Sequence, residues 1–132
     1  IAALLITFFF RQMPELVHSG RLFLAMPPLY RLTAGGKTIY AMDDAHKNEI
    51  MEGEFKNRKV DIGRFKGLGE MMPAQLKETT MSPLSRTLAR IVLPEGEEVS
   101  PEDLVETLMG RKAELRFRFI QENARFVEDL DI

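Results

Sequence analysis

The chain contains no cysteine and no tryptophan, and it has two histidines among its 132 residues. Without cysteine it forms neither a disulfide nor a thiolate zinc site, and it has no cysteine nucleophile. This composition fits a reducing compartment, so we expect a cytoplasmic protein. The apolar run at residues 1–10 is too short to cross a hydrocarbon core about 30 Å thick, so no membrane partner is expected.

The proportions of apolar and charged residues, 45% and 29%, are those of one ordinary globular domain. The formal net charge of −2 gives no overall attraction to nucleic acid. Positive charge is nevertheless concentrated between positions 56 and 66, where five basic residues accompany one acid, Asp61. The five are Lys56, Arg58, Lys59, Arg64 and Lys66.

The apolar run at the start of the chain is interrupted by Thr7 alone, and apolar side chains continue at helical spacing to Val17. This pattern predicts a buried helix that ends at Gly20. The run begins without methionine and without a capping side chain. We therefore expect the helix to start upstream of Ile1 and the chain to be a fragment.

Helix and strand patterns alternate along the rest of the chain. Apolar and polar residues alternate on both sides of residues 34–36, which predicts a β-hairpin. Asp43 or Asp44 and Ser100 are suitable helix caps, and Gly110 is a suitable helix end. The predicted elements are strands at 22–26, 29–33, 37–42 and 60–65, and helices from 43 or 44 to 57, at 73–80, 100–110 and 112–127. Residues 87–93 fit either a helix or a strand, and a strand is favoured because Ile91, Val92 and Leu93 cluster. The predicted fold class is therefore α/β (α+β).

The segment Lys66-Gly67-Leu68-Gly69 lies between a predicted strand and a predicted helix. Its glycines allow main-chain N–H groups to approach an anion, while Lys66 and the start of the helix supply positive potential. The segment therefore predicts a phosphate-binding turn. The alternative is a tight turn whose glycines meet a steric need alone. The spacing matches neither a P-loop nor a dinucleotide fingerprint.

The last predicted helix places Arg116 within its apolar arc rather than opposite it. We expect that arc to be buried, with Leu115, Phe119, Ile120, Phe126 and Val127 in it. A charge on this side indicates either a contact with nucleic-acid phosphate or an ion pair within the chain. Three further arginines, seven positions apart, suit a phosphate backbone or a solvated face. They are Arg111, Arg118 and Arg125.

No self-contained catalytic or metal site is predicted. His18 and His46 lie far apart and have no carboxylates at ligand spacing. The pair Asp43-Asp44 is more simply a helix cap than a catalytic pair. No serine lies in a nucleophile-elbow context.

Several motifs occur together in the order and spacing of one family. They are Thr7-Phe8-Phe9-Phe10-Arg11-Gln12-Met13-Pro14, Pro27-Pro28-Leu29-Tyr30, Arg64-Phe65-Lys66-Gly67-Leu68-Gly69-Glu70-Met71, Glu78-Thr79-Thr80-Met81, Leu108-Met109-Gly110 and Glu122-Asn123-Ala124. Over essentially its whole length the chain resembles the B subunits of bacterial type IIA DNA topoisomerases. The resemblance is closer to the topoisomerase IV branch than to the gyrase branch, and a gyrase B subunit is the alternative.

The sequence departs from the family at two positions. Phe65 stands where tyrosine is common, and Met72 stands where asparagine is common. Phenylalanine lacks the hydroxyl of tyrosine, so no role of that hydroxyl is carried over to this chain.

The resemblance implies that residues 1–81 are the C-terminal half of a TOPRIM domain, which has a Rossmann-like fold. Residues 82–132 would be the C-terminal segment of the B subunit. The family's Mg²⁺ ligands and its ATPase domain precede the region that this chain matches, and the DNA-cleaving tyrosine belongs to the A subunit. The resemblance therefore implies that Mg²⁺ and ATP are bound by residues outside this chain, and that the chain alone does not cleave DNA.

The intact enzymes of this family are heterotetramers of two A and two B subunits, which use ATP to pass one duplex through a transient double-strand break. The family resemblance implies three DNA-contact candidates: Lys66, Arg116 and Arg11. It also implies that a DNA phosphate lies close to Gly67 and Gly69. The implied location is the bacterial cytoplasm, in association with the nucleoid. A second possibility is a docking module for the A subunit that touches no DNA and uses the basic residues together with an acidic tail. The tail contains Glu128, Asp129 and Asp131.

Overall fold

A computed structural model of the chain describes residues 1–127, and the predicted acidic tail lies outside these described residues. The chain divides into two compact units. One contains Phe23–Arg90, and the other combines Ile1–Leu22 with Ile91–Ile132, as far as it is described. Helices and strands mix along the described chain, which confirms the α+β class. The domain boundary predicted after residue 81 stays a prediction.

The unit Phe23–Arg90 is built on a three-stranded antiparallel sheet. Strand β2 (Tyr30–Ala34) lies between β3 (Lys37–Ala41) and β4 (Asp61–Arg64). The predicted hairpin is confirmed, and the left-handed conformations of Gly35 and Gly36, with φ of 56° and 80°, make its two-residue turn. Alternate residues of β2 are buried, as expected for a strand with one face on the core.

Helix α3 (Asp44–Glu52) covers one side of this sheet's core. Asp43 caps it, since the Asp43 Oδ1 atom accepts a hydrogen bond from the N–H of His46 at 2.8 Å. The helix ends earlier than predicted, because Gly53, directly after it, leaves the α region with φ −99° and ψ −98°. The largest fully buried side chains of the described chain are Phe55 and Leu32.

A second, two-stranded sheet pairs β1 (Phe23–Ala25) with β5 (Leu88–Arg90) in antiparallel register. Both predicted strands are confirmed, although each is shorter than expected. Between β4 and β5 the chain forms a 3-10 turn (Leu68–Glu70), helix α4 (Pro73–Leu76) and a π-helical turn (Lys77–Met81). The helix predicted at 73–80 therefore covers the right residues but changes its hydrogen-bonding pattern after Leu76.

The other unit begins with α1 (Ala2–Gln12) and α2 (Pro14–His18). The prediction of one continuous helix is wrong, because Pro14 disfavours the α conformation at the preceding residue and Met13 adopts φ −136° and ψ 58°. The predicted end at Gly20 is confirmed, since this glycine has a φ of 67°. The expectation that the first helix is buried is also wrong. Within the described chain no residue of α1 is buried, and Leu4 is 64% exposed.

Two further helices complete this unit. Helix α5 (Pro101–Met109) is capped by Ser100, whose Oγ atom accepts from the N–H of Asp103 at 3.2 Å, and it ends at Gly110 as predicted. Helix α6 (Ala113–Asn123) continues into a 3-10 turn (Ala124–Phe126). The predicted burial along α6 is wrong for its last part, since Ile120 and Phe126 are more than 60% exposed. No helix of the described residues is long and apolar enough to cross a membrane.

Candidate nucleic-acid interface

The predicted phosphate turn follows β4 directly. The N–H of Phe65 donates to the carbonyl oxygen of Leu29 at 2.8 Å, which extends the sheet by one residue and fixes the position at which the turn begins. Lys66 comes next and is exposed. Its main-chain N–H donates to the Glu70 Oε2 atom at 2.8 Å, and the N–H of Glu70 donates to the carbonyl oxygen of Gly67 at 3.2 Å. The turn is therefore held by its own main chain and one carboxylate.

The two glycines of the turn are not required by its backbone. Gly67 is extended, with φ −175° and ψ 174°, and Gly69 is absent from the glycines with positive φ among the described residues. A Cβ atom added at either position would meet no atom of the described chain within 4 Å. The alternative in which a steric need alone selects these glycines is therefore not supported. The space above the turn is open to a ligand.

The start of the helix predicted at 73–80 adds little to this turn, contrary to the sequence prediction. The segments that follow it are the three-residue 3-10 turn and the four-residue α4. Elements this short sum few peptide dipoles, so they add little positive potential. The charge of Lys66 and the main-chain N–H groups are what remains to attract an anion.

The basic cluster that leads into the turn is exposed throughout. Its members are Lys56, Arg58, Lys59, Arg64 and Lys66. None of the salt bridges within residues 1–127 involves these five side chains, and the one acid of the segment, Asp61, lies 3.8 Å from the Arg31 guanidinium. The positive charge of this surface is therefore not neutralised by ion pairs within the described chain.

Arg116 lies on the half-buried face of α6, beside Leu115 and Phe119, as the helical spacing predicts. Its Nη1 atom donates a hydrogen bond to the carbonyl oxygen of Gly110. The ion pair considered as an alternative is not found among residues 1–127. The hydrogen bond orients the guanidinium but leaves its charge uncompensated. The row of Arg111, Arg118 and Arg125 is exposed.

Arg11 has a partner within its own unit. Its Nη2 atom lies 3.0 Å from the Glu106 Oε2 atom, and both side chains are partly exposed. Among the three predicted DNA-contact residues, Arg11 is thus the one whose charge is partly neutralised inside the described chain. Sequence reasoning missed both Glu106 and Glu70 as partners. The four-residue spacing from Lys66 to Glu70 was a signal that could have identified the second.

The histidines have no arrangement that suits a metal. His46 accepts a hydrogen bond at its Nδ1 atom from the N–H of Met42, at 3.1 Å, and so supports the start of α3. Residues 1–127 contain no group of three or more histidine, aspartate or glutamate side chains that could hold a metal ion. The described residues therefore do not fit a magnesium site.

Comparison with known proteins gives consistent matches. Residues 57–121 match the family model for the carboxyl terminus of the DNA gyrase B subunit. The chain is 70% identical over 133 aligned residues to the B subunit of DNA topoisomerase 4 from Caulobacter vibrioides, and 55% identical to that from Bartonella bacilliformis. It is 44% identical to the B subunit of DNA gyrase from Halalkalibacterium halodurans. Each alignment includes 100% of this chain and 19% or 20% of the relative.

These matches confirm the resemblance that the motifs carry. The chain belongs to the family of bacterial type IIA DNA topoisomerase B subunits. It spans about one fifth of the length of the curated relatives that it matches.

Proposed function

We propose that this chain is the part of a type II DNA topoisomerase B subunit that presents positive charge to DNA beside the cleavage centre. The observation that carries the proposal is the turn at residues 66–69. It combines an exposed lysine with two glycines that the fold does not require, since a Cβ added at either glycine would meet no atom of the described chain beyond its chain neighbours within 4 Å. A phosphate diester is the ligand that such a turn suits, because it needs close main-chain approach and a nearby cation.

Two further contacts belong to the same proposal. Arg116 is held by the Gly110 carbonyl in a fixed orientation, with its charge available to a phosphate. Arg11 is the weaker contact, because DNA has to compete with Glu106 for its guanidinium. We propose that the main-chain N–H groups of Gly67 and Gly69 bind a DNA phosphate, and that Lys66 supplies the positive charge.

We propose the larger architecture from the family resemblance. Residues 1–81 form the C-terminal half of a Rossmann-like TOPRIM domain, and residues 82–132 form the terminal segment of the B subunit. By the same family resemblance, Mg²⁺ and ATP are bound by residues outside this chain, and the chain alone does not cleave DNA. The active assembly contains two A and two B subunits. It acts on duplex DNA in the bacterial cytoplasm, at the nucleoid.

The proposed activity is ATP-dependent passage of one duplex through a transient double-strand break, which relaxes and unlinks chromosomal DNA. Topoisomerase IV is favoured over gyrase, because the relatives named topoisomerase 4 reach 70% identity and the gyrase relative has 44%. A gyrase B subunit is the alternative, and the presence or absence of negative supercoiling by the assembled enzyme distinguishes the two.

The substitution Lys66→Ala in the complete B subunit, in the enzyme assembled with its A subunit, tests the proposal. A hydrogen bond to a charged group contributes about 1.5–3 kcal/mol, so cleavage and relaxation should fall roughly 10- to 100-fold. ATP hydrolysis without DNA should be unchanged. Lys37→Ala is the matched control, because Lys37 is also exposed but is already paired with Glu54. Relaxation that is unaltered by Lys66→Ala would remove this lysine from the site.

A docking module that touches no DNA is the second candidate function. Exposed apolar side chains on the last helices favour it, since Phe117, Ile120 and Phe126 are each more than 60% exposed. In that case charge reversal at Lys66 and Arg116 should weaken capture of the A subunit equally with and without DNA. If charge reversal instead weakens DNA binding alone, the docking function is excluded for these residues.

A further inference from the structure

The Lys66 amide is already occupied by an anionic group of the same turn. The Glu70 Oε2 atom accepts from it at 2.8 Å, while the main-chain N–H of Glu70 donates to Gly67. A carboxylate oxygen on a main-chain amide beside a lysine has the same charge and the same hydrogen-bonding role as a phosphate oxygen. The carboxylate therefore lies where the turn would bind an anion.

The neighbouring amides of the turn have no such partner. No hydrogen bond within residues 1–127 uses the N–H groups of Gly67 or Gly69, and the space above both residues is open. Glu70 itself is exposed, so its side chain can rotate into water without leaving a cavity. The turn thus has free donors next to one donor that a removable carboxylate occupies.

We propose that Glu70 is an internal substitute for a DNA phosphate, which holds the Lys66 amide in the free protein and leaves when DNA binds. This inference rests on the proposed function of the turn. The carboxylate keeps the turn folded in the absence of DNA, and its charge lowers the affinity of the empty turn for anions. Binding of DNA at this point is then an exchange of one acceptor for another, and removal of the Glu70 charge should favour the bound state.

The substitutions Glu70→Gln and Glu70→Ala in the assembled enzyme test this exchange. Glutamine keeps an acceptor oxygen for the Lys66 amide but carries no charge, whereas alanine removes both. Exposed charge pairs contribute about 0.2–1 kcal/mol, so both variants should bind a short fluorescent duplex up to about fivefold more tightly. Glu52→Gln is the control, because Glu52 is an exposed acid on α3 outside the turn.

Hydrogen exchange of the Lys66 amide gives a second measurement that does not depend on DNA. Exchange should be faster in Glu70→Ala than in the unsubstituted enzyme, and added duplex should slow it in both. Unchanged exchange in the free Ala variant would show that the carboxylate does not hold this amide.

The outcomes separate this inference from the function on which it rests. Lys66→Ala could weaken DNA binding while the Glu70 variants bind no more tightly than the unsubstituted enzyme. In that case the proposal that a DNA phosphate replaces the Glu70 carboxylate is wrong, and the proposed function stands. If Lys66→Ala has no effect on DNA binding, the proposed function of the turn fails first. Weaker binding by Glu70→Gln would also overturn the exchange, because it would mean that the charge assists DNA binding.

Discussion

Arg11 and Glu106 form an ion pair, with 3.0 Å between Nη2 and Oε2, although 95 positions separate them in the chain. The pair links α1 to α5 within one compact unit. The Arg11 side chain is 39% exposed and the Glu106 side chain is 60% exposed. Water therefore screens the pair, and its contribution to stability is small.

A double-mutant cycle of Arg11→Ala and Glu106→Ala should give a coupling free energy of about 0.2–1 kcal/mol, as is usual for exposed pairs. Denaturant unfolding of the four proteins measures it. Glu106→Ala alone should also strengthen duplex binding slightly, since it frees the Arg11 guanidinium. A coupling near zero would mean that the two charges do not interact in solution.

Alanine at Gly67 or Gly69 should leave the fold intact and weaken DNA binding. Neither position has a positive φ, and an added Cβ meets nothing in the described chain. The free energy of unfolding should therefore stay the same or rise by up to about 1 kcal/mol. Duplex affinity should fall severalfold, because a methyl group would occupy the space that a phosphate needs.

Gly36→Ala is the contrasting control for these glycine variants. Gly36 has a φ of 80° in the hairpin turn, so alanine there should cost about 1–2 kcal/mol of stability without a direct effect on DNA affinity. If Gly67→Ala and Gly69→Ala bind duplex as well as the unsubstituted enzyme, the open space above the turn is not a phosphate site.

The Tyr30 hydroxyl donates to the Asp44 Oδ1 atom at 2.6 Å, which makes stability dependent on pH. This hydrogen bond, followed by one from Lys47, lowers the pKa of Asp44 below its ordinary 3.8. Because the folded pKa is lowered, the stabilisation is present above about pH 4 and is lost as pH falls through the folded pKa. A plot of unfolding free energy against pH should therefore fall at acid pH, which is its acid limb. Tyr30→Phe should make this fall less steep.

The same pair acts at the alkaline end. The hydrogen bond to Asp44, and then burial, raise the pKa of Tyr30 above its ordinary 10.0. This stabilisation is present below pH 10 and is lost as pH rises through the raised pKa. Tyr40→Phe is the control for the acid limb, because Tyr40 has its pKa raised chiefly by burial. An acid limb that is unchanged in Tyr30→Phe would contradict the role of the pair.

Arg116→Ala should weaken both DNA binding and folding. Loss of one phosphate contact reduces the dependence of log affinity on log salt concentration by about one unit. Loss of the hydrogen bond from the charged guanidinium to the Gly110 carbonyl should lower the free energy of unfolding by about 1.5–3 kcal/mol. Early melting with an unchanged salt dependence would instead give Arg116 a purely structural role.

Local signals predicted the fold well where one or two residues determine the geometry. Gly35 and Gly36 predicted the hairpin, Asp43 and Ser100 predicted helix caps, and Gly110 predicted a helix end. The hairpin and the caps depend on a backbone conformation or a capping bond that the residue type itself favours. Gly110 has an ordinary φ of −74°, and a side chain is excluded there because an added Cβ would clash with the Glu106 carbonyl oxygen. The sheet order, with β2 central, required long-range pairing that local signals do not specify.

Burial was the property that the sequence predicted least well. Helical spacing identifies the apolar face of a helix, but a face is buried only where another segment covers it. Leu4 and Phe8 on α1 and Ile120 on α6 are exposed within the described chain, although the pattern predicted burial. Pro14 was a signal for the break between α1 and α2. The break was missed because apolar residues continue at helical spacing on both sides of Pro14.

The sequence predicted only part of the candidate site. The glycine turn and Arg116 were identified because their residue types are unusual in their positions. The partner of Arg11 was missed because a side-chain contact over 95 positions depends on the folded geometry. The partner of Lys66 was missed although its spacing of four positions was visible in the sequence.

The salt dependence of duplex affinity tests the central claim most directly. It is measured for the assembled enzyme and for its Lys66→Ala, Arg116→Ala and doubly substituted forms. If both side chains contact DNA phosphates, each single substitution should reduce the slope of log affinity against log salt by about one unit, and the double substitution by about two. Four identical slopes would contradict the claim that this chain brings positive charge to the DNA backbone.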